Sequence, residues 1–261
     1  MGRPATSTRE AGSALAPHLR RLLAFTEPGA GDVCLDVAAG PGPLPGALAP
    51  YVRQVVSVDA ADAPPGGRTA TVEFPTGPVR IKDGTVPTVP PRPAVGAPDP
   101  VAVHADATDL PYEDGAFSLV TARFALFALG DPARVLRELL RVCRRDGRLV
   151  LAELIRGDLG ETARGGLAGH RAGVRSGVPS LAALTDLIAA AGGDVRRLDA
   201  FTVERPAEPW LASLDEPTAD TLRLALIAEV DGGPRTGARP RVIGGELWFT
   251  QSWVHVSARP A

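Results

Sequence analysis

Two hydrophobic periods alternate along the chain. Short apolar runs bounded by turn residues occur at 33–37, 55–58, 101–104, 117–122 and 149–154, and further strand-like runs at 195–204 and 245–256. Such runs read as buried strands. Between them, residues that can face a core recur every three or four positions at 11–25 (Leu15, His18, Leu19, Leu22, Leu23), 44–52, 132–143 (Val135, Leu136, Leu139, Leu140, Cys143), 181–191 and 218–230. That spacing gives a helix one buried stripe. Asp131-Pro132 offers an N-cap and a proline at the first helical position. Gly147, as a left-handed cap, and Gly192-Gly193 are stop signals. Strands alternating with helices predict an α/β chain with a doubly wound sheet.

The pattern breaks at 61–100, which holds ten prolines and five glycines. Proline at that density removes amide donors and interrupts helices. The stretch reads as a long irregular insertion, either a flexible surface loop or a cover for a site, with 71–74 and 79–81 able to pair as a small hairpin. Residues 1–7 are polar and are expected to be disordered.

The chemistry concentrates at 33–59. An apolar strand runs into Gly40-Pro41-Gly42, a helix follows in which Pro45 falls within the first turn, and a second strand ends on Asp59. Glycine lets backbone approach a ligand, the helix start offers free N–H groups, and an acid at the tip of the second strand can accept from both hydroxyls of a ribose. This is half of a nucleotide-binding crossover unit.

These residues resemble the first motif of class I S-adenosylmethionine (SAM) dependent methyltransferases. The family's Asp-x-Gly-x-Gly-x-Gly stands here as Asp36-Val37-Ala38-Ala39-Gly40-Pro41-Gly42, with Ala38 in place of the first glycine. The family's Asp-Ala-x-x-Leu-Pro-Phe-x-Asp-x-x-Phe-Asp-x-Val is matched from Asp106-Ala107 through Leu110-Pro111-Tyr112 to Phe117-Ser118-Leu119-Val120, with Ser118 replacing an aspartate. The closing Gly245-Glu246-Leu247-Trp248-Phe249-Thr250 and Trp253 resemble the end of small-molecule methyltransferases. The branch is that of the ubiquinone and menaquinone C-methyltransferases. In it, a histidine pair often follows the strand at 117–122, where this chain has Phe127 and Ala128.

The resemblance implies a Rossmann-like, mostly parallel seven-stranded sheet with an antiparallel terminal strand, in one domain over 8–258. It implies SAM as cofactor. Asp36, Ala38, Gly40, Gly42, Asp59, Asp106, Ala107 and Arg123 are then the cofactor-binding candidates. Asp59 would hold the ribose. Asp106 would accept from the adenine amino group while Ala107 offers its N–H, although an acid after a strand is also a plain turn residue. Phe124 and Phe127 are either core or an apolar pocket floor. Arg123 is alternatively a surface or ion-paired arginine, or a substrate contact. His170 is the one histidine considered as a general base, against a solvated loop position.

A net charge of −2 argues against a nucleic-acid surface. No run of apolar residues is long enough to span a membrane, and two cysteines, Cys34 and Cys143, fit buried thiols of a reducing compartment. The expected place is the cytoplasm, the expected partner a small-molecule acceptor, and no metal-ligand cluster is evident. The apolar floor favours a carbon nucleophile or an acidic hydroxyl. A nicotinamide oxidoreductase shares the Gly40-x-Gly42-x-x-x-Gly46 spacing but needs Tyr-x-x-x-Lys; Tyr51 is followed by Val55 and Tyr112 by Ala116 at the fourth place. A methyltransferase-like fold that binds a ligand or partner without turnover is the remaining alternative.

Overall fold

The apolar runs become the central strands of one sheet. The computed structural model describes residues 15–38, 42–59, 80–81, 99–156, 178–212 and 214–261. The elements are α1 (Pro17–Thr26), β1 (Val33–Ala38), α2 (Leu44–Leu48), β2 (Gln54–Asp59), β3 (Arg80–Ile81), β4 (Val101–His104), β5 (Phe117–Arg123), α3 (Pro132–Val142), β6 (Cys143–Ile155), α4 (Leu181–Ala190), β7 (Gly193–Pro206), α5 (Glu208–Leu211), α6 (Glu216–Val230), β8 (Arg241–Ile243) and β9 (Glu246–Pro260). The order across the sheet is β4-β2-β1-β5-β6-β9-β7-β3, with β8 paired to β9. Strands β4, β2, β1, β5 and β6 are parallel, and β9 enters antiparallel between β6 and β7. This is the predicted doubly wound sheet, extended by the short strands β3 and β8.

Successive residues of the inner strands feed opposite layers. Val120, Ala122, Leu149 and Leu151 pack with α3 and α4 through Leu136, Leu139, Leu184 and Ile188. Leu119, Val150 and Ala152 pack with α1 and α2 through Leu19, Leu23, Leu44 and Leu48. α3 starts as its sequence dictates: the Asp131 carboxylate accepts from the N–H groups of Ala133 and Arg134, and Pro132 occupies the first turn. Gly192 has φ +91°, the left-handed turn that ends α4. No helix among the described residues is long and apolar enough to cross a membrane.

Four expectations are corrected. The helix expected over 44–52 stops at Leu48, because Pro50 has no amide hydrogen to continue it. Cys143 is buried but opens β6 rather than ending α3. Gly147 has no left-handed φ. Cys143 pairs with Phe117 and Arg148 with Leu119, so residues 144–147 bulge out of the ladder. At Gly147 the bulge passes so close to β5 that a Cβ there would lie 2.8 Å from the Ser118 carbonyl oxygen and 3.0 Å from that of Arg144. Of the hairpin expected within the insertion, Arg80 and Ile81 pair instead with Glu204 and Val203 of β7. Its other arm, 71–74, lies outside the described residues, as do most of 61–100 and residues 1–7.

The end of the sheet opposite the glycine turn is tied by a polar cluster. Ser118 Oγ donates to Asp32 at 2.8 Å and accepts from the Val33 N–H at 3.0 Å. Arg148 pairs with Asp32 at 2.6 Å and donates to the Thr26 and Glu27 carbonyls that close α1. The Arg148 and Ser118 hydrogen bonds hold the Asp32 carboxyl below the usual carboxylate range against the cost of its partial burial. The serine therefore bridges β5 to β1.

Gly147→Ala should lower stability by about 1–3 kcal/mol, since backbone must shift on both sides. Gly46→Ala in α2, where a Cβ meets nothing within 4 Å, should be neutral or stabilising by up to about 1 kcal/mol. Urea midpoints of the two variants check this; equal midpoints would contradict the crowding at Gly147.

Candidate functional site

A doubly wound sheet offers its ligand crevice where the strand order reverses. From β1 the chain steps outward to β2 and β4, then returns to the other side of β1 as β5. The reversal lies between the carboxyl ends of β1 and β5. Ala38, the last residue of β1, is the register partner of Asp59, and Asp59 is the partner of His104. Val37 is the partner of Ala122, which places Arg123 one residue above it. The sheet thus brings Ala38, Asp59 and Arg123 to one edge.

The turn that joins β1 to α2 runs between Ala38, buried at the strand end, and Gly42, half-buried before Pro43 caps the helix. Gly40 lies outside the described residues, and so does His170. Asp106 stands two residues beyond β4 and is exposed; its Oδ1 accepts from the Thr108 N–H and hydroxyl, both at 2.8 Å. Those two bonds pull the carboxyl below its usual range. Ala107 is buried in the core beside it. The following loop is clamped by Arg141, which donates to the Leu110 and Tyr112 carbonyls and pairs with Glu138 at 2.7 Å, while Glu138 accepts from the Leu110 N–H.

Asp36 lies below the rim. Its carboxylate accepts from the Thr121 hydroxyl of β5 at 2.5 Å and is 2% exposed. Burial pushes its pKa up to about 6, against the opposing pull of the Thr121 hydrogen bond and the Arg123 charge. Burial likewise pulls the Arg123 guanidinium down to about 10, with Asp36 acting in the other direction. The next residue, Phe124, is buried at φ +54°, a left-handed conformation that strains a bulky side chain. Its ring meets Trp253 edge-on at 4.7 Å, in a cluster with Phe201 and Val203. Phe127 is half-buried against the main core.

The sequence reading passed over Glu153 here and took His18 only as part of the inner stripe of the first helix. Glu153 of β6 is fully buried and accepts from the Leu126 N–H at 3.0 Å, so it fixes the segment that leaves β5. Burial drives its pKa up to about 8, opposed by hydrogen bonds from the N–H groups of Leu126, Ala125 and Leu154. A lone acid inside the apolar run 149–154 was the available signal. His18 of α1 lies edge-on to Trp253 at 5.6 Å. Burial and the charges of Arg123, Arg205 and His255 take its pKa down to about 4. It stood within an apolar helical stripe, where a histidine reads as core.

Residues 81–151 match a family model described as a methyltransferase domain, roughly a quarter of the chain. A demethylmenaquinone methyltransferase of Clavibacter sepedonicus is 35% identical over 48% of this chain and 42% of its own length. YcgJ of Bacillus subtilis, an uncharacterized methyltransferase, is 29% identical over 46% of this chain and 39% of its own. The chain therefore spans less than half the length of these curated relatives. The solved YcgJ structure superposes with a TM-score of 0.67 at 18% identity, covering 94% of this chain and 99% of that one. A geranyl diphosphate methyltransferase in complex with SAM superposes at 0.55 with 15% identity, covering 94% and 84%. The resemblance to class I SAM-dependent methyltransferases is thus borne out by the fold and by the segment from β3 into β6.

Glu153 has its proton held more tightly in the folded chain than in the unfolded one. Its stabilising contribution is complete below the unfolded value near 4.5 and is lost as pH rises through about 8. The stability of the parent protein relative to Glu153→Gln should therefore fall by on the order of 2 kcal/mol between about pH 5 and 8. Urea midpoints across that range check it; a constant difference would contradict the raised pKa.

Proposed function

We propose that this chain is a SAM-dependent methyltransferase acting on a small-molecule acceptor. The observation that supports it most is the convergence of Ala38, Asp59 and Asp106 on the carboxyl edge of a sheet with methyltransferase topology. The donor set suits the cofactor: an acid at the tip of β2 for the ribose hydroxyls, and an acid beyond β4, with one oxygen committed to its own turn, for the adenine amino group. When bound, SAM supplies a methyl group on a sulfonium, which passes to a nucleophile as the carbon–sulfur bond breaks, leaving a thioether.

The protein's part is alignment, which can supply most of the rate in such a displacement. Ala38, Gly40 and Gly42 let the backbone of the turn approach the cofactor's amino-acid end. The Ala107 N–H is assigned to the adenine ring. Arg123 places positive charge at the switch point, toward a carboxylate. Asp36 acts from beneath, joined to Thr121 so that the ends of β1 and β5 stay in register. Glu153 holds the segment carrying Phe124 and Phe127, the apolar side of the acceptor pocket. The match of residues 81–151 to a methyltransferase domain favours turnover over a ligand-binding role alone.

Calorimetric titration with SAM and with S-adenosylhomocysteine tests the reading. Both should bind, and Asp59→Ala should weaken binding by about 1.5–3 kcal/mol, roughly 10- to 150-fold. Absence of binding by the parent protein overturns the proposal, and unchanged affinity in the variant overturns the role of Asp59.

A further inference from the structure

The chain leaves β5 through a strained turn. Arg123 ends the strand in register with Ala152, and the N–H of Phe124 donates back to the Ala152 carbonyl at 2.8 Å. Phe124 then takes φ +54°, a conformation that a bulky side chain keeps only where its surroundings hold it. The hold is applied to the next two residues. Glu153 Oε1 accepts from the Leu126 N–H at 3.0 Å, and the Ala125 N–H bonds the same carboxyl. The Ala125 carbonyl in turn accepts from the N–H groups of Ala128 and Leu129 at 2.9 and 3.1 Å. Phe124 is thus pinned on one side by a backbone carbonyl of β6 and on the other by a side chain of β6.

The surroundings of that side chain are apolar. The register partner of Glu153 is Val254, and Leu151, Val256 and Ile155 lie on the same face, in the layer that Leu184 and Ile188 of α4 close. Arg123 of β5 and His255 of β9 are both register partners of Ala152, so they stand on the opposite face of the sheet. Asp186, the acid of α4, is exposed. Among the described residues, the groups that act on Glu153 are the N–H groups of Leu126, Ala125 and Leu154. An ionised carboxylate holds such donors by charge-assisted bonds, roughly twice as strong as neutral ones. A protonated carboxyl holds them less firmly and brings an O–H of its own.

Resting on the methyltransferase reading, we propose that Glu153 is a positioning residue for the cofactor: its carboxylate grips the Ala125 and Leu126 N–H groups, keeps the strained turn at Phe124 closed behind Arg123, and so sets the Arg123 guanidinium at the switch point. The turn then has a held and a released state. In the released state Phe124 leaves the left-handed region and the end of β5 loses its bond to Ala152. A cofactor that binds the held state favours loss of the Glu153 proton, and by linkage loss of that proton favours the cofactor. Burial lifts the Glu153 carboxyl to about 8, so the exchange falls in mildly alkaline solution. Affinity rises with pH through that value, because the ionised form is the one that grips.

The test is titration of the full chain with S-adenosylhomocysteine at about pH 6.5 and about pH 9. Glu153→Gln keeps an acceptor oxygen but carries no charge, so it fixes the protonated state. At the lower pH the two proteins should bind within about 2-fold of each other, and at the higher pH the parent should bind at least about 5-fold more tightly. The amino group of the ligand titrates alike with both proteins and cancels in the ratio. A role confined to stability would leave that ratio constant. In a Phe124→Gly background the left-handed turn carries no strain, so Glu153→Gln should cost less than about 2-fold at the higher pH. In the unsubstituted protein, the side-chain carboxyl carbon NMR signal of Glu153 should titrate at a lower pH when S-adenosylhomocysteine is bound, a readout that does not depend on the variants folding. A ratio that does not change with pH, an undiminished loss in the Phe124→Gly background or an unmoved carboxyl titration would overturn the assignment while leaving cofactor binding intact. Failure of S-adenosylhomocysteine to bind the parent at either pH would instead overturn the methyltransferase reading.

Discussion

The pairing of β1 with β5 is the constraint on which the site depends. Asp36 and Thr121 are register partners across that pair, and the hydrogen bond between them is buried. A carboxyl group so placed is costly, as its raised pKa shows, and it is tolerated because Thr121 donates to it and Arg123 lies above. Slipping the two strands by one residue would send Asp36 and Thr121 to opposite faces. The bond therefore helps to fix which residues reach the carboxyl edge, Ala38 and Arg123 among them.

Buried and half-buried polar groups recur around this point, each with a positional consequence. Glu153 anchors the N–H groups after β5, Arg141 clamps the loop after Asp106, and Ser118 with Asp32 and Arg148 ties the far end of the same strands. The hydrophobic layers above and below the sheet supply cohesion without direction. The polar bonds supply direction, since a buried donor or acceptor left unmade costs more than a made one contributes. The carboxyl rim of the sheet is thus held from beneath by side chains of neighbouring strands.

α1 links this rim to the opposite half of the sheet. Arg21 bonds Asp199 of β7, His18 packs on Trp253 of β9, and Leu19, Leu22 and Leu23 pack over β1, β5 and β6. The aromatic group of Phe124, Trp253 and Phe201 is drawn from two strands, β7 and β9, and from the residue that follows β5, all far apart in the chain. A cluster built this way depends on β9 being inserted antiparallel between β6 and β7, because that insertion brings Trp253 next to the end of β5.

Much of the fold was legible in the residues. Apolar runs gave the strands, the 3.6-residue stripe gave α3 with its Asp131 cap, and the glycine turn followed by Asp59 located the carboxyl edge. These signals act over a few residues, through backbone sterics, capping and local burial, so a linear reading contains them. The tertiary structure decided what depends on distant partners. Gly147 is needed for close passage to Ser118, not for a left-handed turn. Arg80 and Ile81 pair with β7. Asp36 is spent on Thr121, and His18 lies among arginines that come from β5 and β7. Charge, burial and hydrogen bonding at these residues are set by neighbours up to more than a hundred positions away, and only the folded sheet brings those neighbours together.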